Sequence, residues 1–152
     1  MSTIGSRPMS HVKKVYVVTT AAIDFIPLNH DITAAIRDAG VVDGAVHIAV
    51  PKSGAALLVF ENLPEVRKAI TNYLAQFSKE GKLKDRLNRE VELAPRLQTA
   101  LLPRALSLPV VAGEVALAPY EDVILLDCDL REQRREVVIV SSGSGGGEDK
   151  KE

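Results

Sequence analysis

Hydrophobic and polar positions along this chain switch between two periods. VKKVYVVTT (12–20) is dense in β-branched residues, which suit a pleated surface, and it predicts a strand. In FIPLNHDITAAIRDAG the spacing changes, with Ile32, Ala35, Ile36 and Ala39 recurring at i, i+3, i+4 and i+7. Asn29 or Asp31 is the expected cap of this short helix and Gly40 its stop. DGAVHIAVP (43–51) and AALLVF (55–60) predict two strands joined through a turn from Pro51 to Gly54. Pro64 then opens a helix of about 63–78, since a first helical turn tolerates its missing N–H. Val66, Ile70, Tyr73, Leu74 and Phe77 form the apolar face of that helix. Residues 79–89 read as a solvated basic loop, and PRLQTALLP (95–103) as a short helix bounded by prolines. Four short strands follow in ALSLPVV, EVALAP, EDVILLD and REVVIVSS, with Gly113 at a hairpin turn.

This order predicts an α+β domain, with a mixed or antiparallel sheet or two packed sheets and two or three short helices. One domain of 11–142 is expected, between flexible tails at 1–10 and 143–152, the latter rich in glycine, serine and charge. So many strands leave edges to be covered, which makes self-association the expected solution.

Composition narrows the chemistry. Lys and Arg total 19 against 20 Asp and Glu, so no basic footprint for nucleic acid or membrane stands out. Cys128 is the sole cysteine, and the histidines are His11, His30 and His47. Soft and imidazole metal ligands are therefore few. With no apolar run of membrane-spanning length and no signal-like N-terminus, a cytoplasmic protein is expected.

Individual residues give weak signals. Lys52 and Ser53 are a possible base and nucleophile, although neighbours on an extended segment point to opposite faces. Glu61 ends a buried-looking strand, where functional side chains collect, but the favoured reading is that Glu61 or Asn62 caps the next helix. His47 fits a sheet-face or core position, while His11 and His30 fit the surface. Nothing near Cys128 marks an activated thiolate. Arg131, Arg134 and Arg135 could clamp an anion, yet Asp129, Glu132 and Glu136 are interleaved with them.

The order of small signals says more. Asp31-Ile32-Thr33, Asp43-Gly44, Pro51, Ala55, Glu61-Asn62, Pro64, Val66, Pro109-Val110, Gly113, Asp127 and Arg135 follow one another in a pattern. The pattern resembles the secondary thiamine-phosphate synthase family, the small YjbQ-like proteins, over roughly 12–142. The resemblance implies an α+β homotrimer with pockets near subunit interfaces. It also implies a polar site of histidines, a strand-end glutamate and a helix aspartate, able to bind metal or act on substrate.

This chain departs from that set. Lys52 stands at the first histidine, Ser53 and Gly54 at the threonines beside it, Ala69 at the helix aspartate and Arg96 at the last histidine. Tyr120 and Glu121 replace a tryptophan and glutamine, and Glu61 alone is kept. Imidazole ligates metals, whereas ammonium and guanidinium repel them and attract anions. The resemblance thus implies a divergent member without metal or cofactor: a trimeric binding or scaffold protein for a small anionic or phosphorylated ligand. Lys52, Arg96, Arg131 and Arg135 are the expected anion contacts, in a cavity shared with Glu61. Glu61, Lys52 and Arg96 are the candidates for any surviving catalysis. Two alternatives stay open: a thiamine-phosphate synthase-like transferase using Lys52, Arg96 and Arg104, and a protein-interaction module.

Overall fold

The computed structural model describes residues 8–20, 23–77 and 81–145. In chain order its elements are β1 (Pro8–Thr19), β2 (Asp24–Pro27), α1 (Asn29–Ala39), β3 (Val41–Ala49), β4 (Ala55–Glu61) and α2 (Pro64–Ala75). Then come β5 (Lys82–Lys84), β6 (Glu90–Glu92), α3 (Leu93–Thr99), β7 (Ala105–Val111), β8 (Glu114–Val115), β9 (Glu121–Asp127) and β10 (Gln133–Gly145). The architecture is α+β.

Two antiparallel sheets carry it, ordered β1-β10-β3-β7-β8 and β2-β9-β4. In β10 the alternation is regular: Arg135, Val137, Ile139 and Ser141 face inward and are buried. Their row meets Ile32, Ala35 and Ile36 of α1 and Leu57 and Leu125 of the smaller sheet in one core. The opposite face of the smaller sheet is covered as well. Leu126 and Cys128 pack there with Leu74 of α2, beside Leu58 and Ile70. β9 is therefore sandwiched on both faces, which explains why DVILLD reads as an unbroken apolar run. Each fully buried Leu, Ile or Val contributes about 1.5–3 kcal/mol.

Several boundaries differ from the sequence reading. β1 starts at Pro8 and β10 runs through Gly145, so the ordered pairing extends past 11–142 at both ends. Gly143 faces Gly44 across β10 and β3; a Cβ on Gly44 would lie 2.0 Å from the Ser142 carbonyl oxygen. Only glycine permits that approach, so a glycine-rich stretch forms strand here. Residues 1–7 and 146–152 of the expected tails lie outside the described residues. β2 was not anticipated, because its four residues precede the helix without a turn signal.

The expected caps are not made. Leu28 occupies the N-cap of α1, and Asn29 inside the helix accepts the Val123 N–H at 2.7 Å instead. Leu63 caps α2, while Asn62 donates to Asp122 at 2.7 Å and accepts from Arg67. Within the basic segment Lys82–Lys84 pairs with Glu90–Glu92 as the hairpin β5–β6. Asp85 shapes its turn by accepting the N–H groups of Leu87 and Arg89, and Lys82 lies 3.8 Å from Glu92 across the pair.

Candidate functional site

A cleft of about 390 Å³ opens where the 51–54 turn, the β9–β10 connection, α3 and the β5–β6 hairpin meet. Its floor is Arg135, only 1% exposed because its strand position faces the core. A guanidinium at that depth needs a carboxylate, and the end of β9 supplies one. Arg135 donates from Nε to Asp127 Oδ2 at 2.9 Å and from Nη2 to Oδ1 at 3.2 Å, a bidentate pair. Its Nη1 donates to the Ser53 carbonyl at 3.0 Å and so fastens the turn that carries Lys52. Asp127 also accepts the Asp129 N–H at 2.8 Å, and Asp129 accepts from Gln133 at 2.7 Å.

Gly54 is fitted to this arrangement. Its φ of +91° is left-handed, and a Cβ there would stand 3.1 Å from Arg135 Nη2. Both the turn and the guanidinium behind it require glycine.

The rim carries the remaining charge. Arg89 is bound to Asp85 through Nε at 2.9 Å and Nη2 at 2.8 Å. The Arg89 N–H and guanidinium, together with the Leu87 N–H, hold the Asp85 carboxyl below the usual carboxylate range. Lys52, Arg96 and Arg131 line the same cleft. Among the described residues none of these three has a carboxylate within 4.0 Å. Arg96 makes only a 3.4 Å contact to the Glu92 carbonyl. Glu132 also lines the cleft and partly offsets their charge.

The fold thus gathers Lys52, Arg96, Arg131 and Arg135 from four separate segments. Glu61 is not with them. β4 begins at the cleft with Ala55 and ends at exposed Glu61, about 20 Å further along an extended strand. There Glu61 sits opposite Glu121. Arg135 is a positioning residue, since Asp127 already engages its donors. Ser53 enters through its carbonyl, and Arg104 does not line the cleft. Arg134 instead covers the Tyr16 ring at 4.2 Å. His47 lies on the exposed sheet face, 2.7 Å from Ser107.

Sequence reasoning missed Arg89, Asp85 and the structural part of Asp127. The Asp85–Arg89 spacing was the available signal, but within a charge-rich run it does not stand out.

A divalent metal does not fit this donor set. Unpaired ammonium and guanidinium groups would repel it, and the carboxylates Asp85 and Asp129 are held by arginine or glutamine. Among the described residues no three His, Cys, Asp or Glu side chains gather as a metal-ligating group.

Comparison with known proteins places this architecture. Residues 13–144 match the model of the UPF0047 protein YjbQ-like family. The chain belongs to the YjbQ-like family. It is 25% identical over 134 residues to a UPF0047 protein of Synechocystis, covering 86% of this chain and 91% of that one. A YjbQ-like fold of unknown function from Sulfolobus solfataricus superposes with a TM-score of 0.80 at 17% identity, over 90% of this chain and 99% of the other. A hypothetical protein from Aeropyrum pernix gives 0.72 at 20% identity, over 85% and 96%. Among the described residues no helix is long and apolar enough to cross a membrane.

Cys128 adjoins this YjbQ-like site but is not part of its chemistry. Burial first, and then the Asp127 charge, push its thiol up to about 12 from 9.0. In the folded protein it is expected to resist iodoacetamide at pH 8, with full alkylation only after unfolding. Between pH 9 and about 12 the unfolded thiol ionises before the folded one, so stability falls across that window. Rapid alkylation of the folded chain would show Cys128 to be accessible.

Proposed function

We propose that this YjbQ-like protein binds a small anion in the cleft of Lys52, Arg96 and Arg131, and that it works as a homotrimer without metal-dependent catalysis. The observation that carries the reading is the convergence of these three cations in one concavity, with no carboxylate partner among the described residues. The two buried or structured ion pairs beside them, Arg135–Asp127 and Arg89–Asp85, hold the walls in place. A cleft of about 390 Å³ is larger than a bare phosphate needs, so it suits a phosphorylated small molecule.

The ligand's charge selects the site, because phosphate oxygens accept charge-assisted bonds that neutral compounds cannot. Calorimetric titration of the full chain with inorganic phosphate and diphosphate tests this. Stoichiometric binding that weakens with rising salt is expected. Equal affinity for a neutral analogue of the same size, or no binding of either anion, would refute it.

A further inference from the structure

The cleft that gathers Lys52, Arg96 and Arg131 is not uniformly basic, since Asp85, Glu90, Asp129 and Glu132 line it too. Two of these four carboxylates already face cations. Asp85 is held by Arg89 through Nε at 2.9 Å, and Glu90 lies 4.0 Å from Lys82 Nζ. Glu132 is different: among the described residues it has no cation within 4.0 Å. Asp129 is half committed. Its Oδ2 accepts from Gln133 at 2.7 Å and lies 3.7 Å from Arg135, which leaves Oδ1 without a partner among the described residues.

Both open acceptors sit on the β9–β10 connection, residues 128–132. Lys52 and Arg96 reach the same concavity from the 51–54 turn and from α3. Unpaired charges of both signs therefore share one cleft. A plain anion would meet the three cations and be opposed by Glu132. A ligand with a positive group beside its anionic one turns that opposition into a second charge-assisted contact.

The rest of the lining limits what joins the two groups. Val91 is its sole apolar residue, and no aromatic side chain faces the cleft. A nucleobase or another flat ring finds no stacking partner there, whereas a short flexible chain needs none.

We infer that this cleft takes a zwitterionic phosphomonoester, a small phosphate ester carrying a protonated amine. The phosphate lies among Lys52, Arg96 and Arg131, and the ammonium donates to Glu132 and Asp129. The inference rests on the anion site proposed above and names the class of compound it accepts.

Calorimetric titration of the full chain near pH 8 tests it, with 2-aminoethyl phosphate against ethyl phosphate, which differs only in lacking the amine. At that pH the phosphate is dianionic and the amine protonated. The three cations alone favour ethyl phosphate, the more negative of the two. The inference predicts the reverse, with 2-aminoethyl phosphate binding about tenfold tighter or more. Glu132 is exposed and has no ion pair among the described residues, so Glu132→Gln should keep the fold, which circular dichroism checks. In that variant the preference should fall toward parity. 2-Aminoethyl phosphate weakens, and ethyl phosphate, relieved of an opposing carboxylate, binds slightly tighter. Ethyl phosphate binding as tightly as the amine compound in the intact chain would overturn this inference and leave the anion site standing. A preference undiminished in Glu132→Gln would also overturn it. Binding of neither compound would overturn the anion site and this inference together.

Discussion

Asp127→Ala lowers the unfolding free energy by about 3–5 kcal/mol, because it strands a guanidinium inside the protein. Arg135 is 1% exposed, and Asp127 is its bidentate partner. Among the described residues, only the Ser53 carbonyl at 3.0 Å and Asp129 at 3.7 Å then remain within reach of its guanidinium. Those contacts do not replace two short charge-assisted bonds. Urea denaturation monitored by circular dichroism measures the loss. The double change Asp127→Leu with Arg135→Met should cost less than Asp127→Ala alone, since it removes both charges and leaves apolar volume. A loss below about 1 kcal/mol for Asp127→Ala would mean that Arg135 finds another partner or reaches water. Asp127→Ala also loosens the turn that carries Lys52, so its anion affinity should fall with its stability.

Joint replacement of Lys52, Arg96 and Arg131 by alanine separates binding from folding. All three side chains sit on the cleft rim without ion-pair partners among the described residues, so stability should change by less than about 1.5 kcal/mol in total, about 0.5 for each. Diphosphate affinity should fall about 100-fold or more, because each charge-assisted bond is worth roughly a factor of ten. The salt dependence of binding should weaken as well. Unchanged affinity in this variant would place the anion elsewhere.

Much of the fold could be read from residue pattern. The 3.6 period of Ile32, Ala35 and Ile36 marked α1, and the β-branched run at 12–20 marked β1. The caps were misread because Asn29 and Asn62 have better partners in β9, across the fold from their own helices. Such a preference depends on tertiary placement, which local spacing does not carry. The same holds for the site. Lys52 and Arg96 were paired as anion contacts because they stand where a related pattern has histidines, and their convergence depends on how α3 lies against the 51–54 turn. Arg135 looked like a surface clamp among charged neighbours, but strand parity set it in line with Val137 and Ile139 and buried it. Glu61 was grouped with them because the resembled pattern has a site glutamate at the end of the strand that follows the turn. The extended geometry of that strand is what carries it away.

Anomalous diffraction from crystals soaked in tungstate, a tetrahedral oxyanion like phosphate, tests the central claim most directly. The account predicts one strong peak per chain within hydrogen-bond reach of Lys52, Arg96 and Arg131, lost in the triple alanine variant. A peak ringed by other residues, or an empty cleft at a tungstate concentration that saturates the protein in solution, would contradict it.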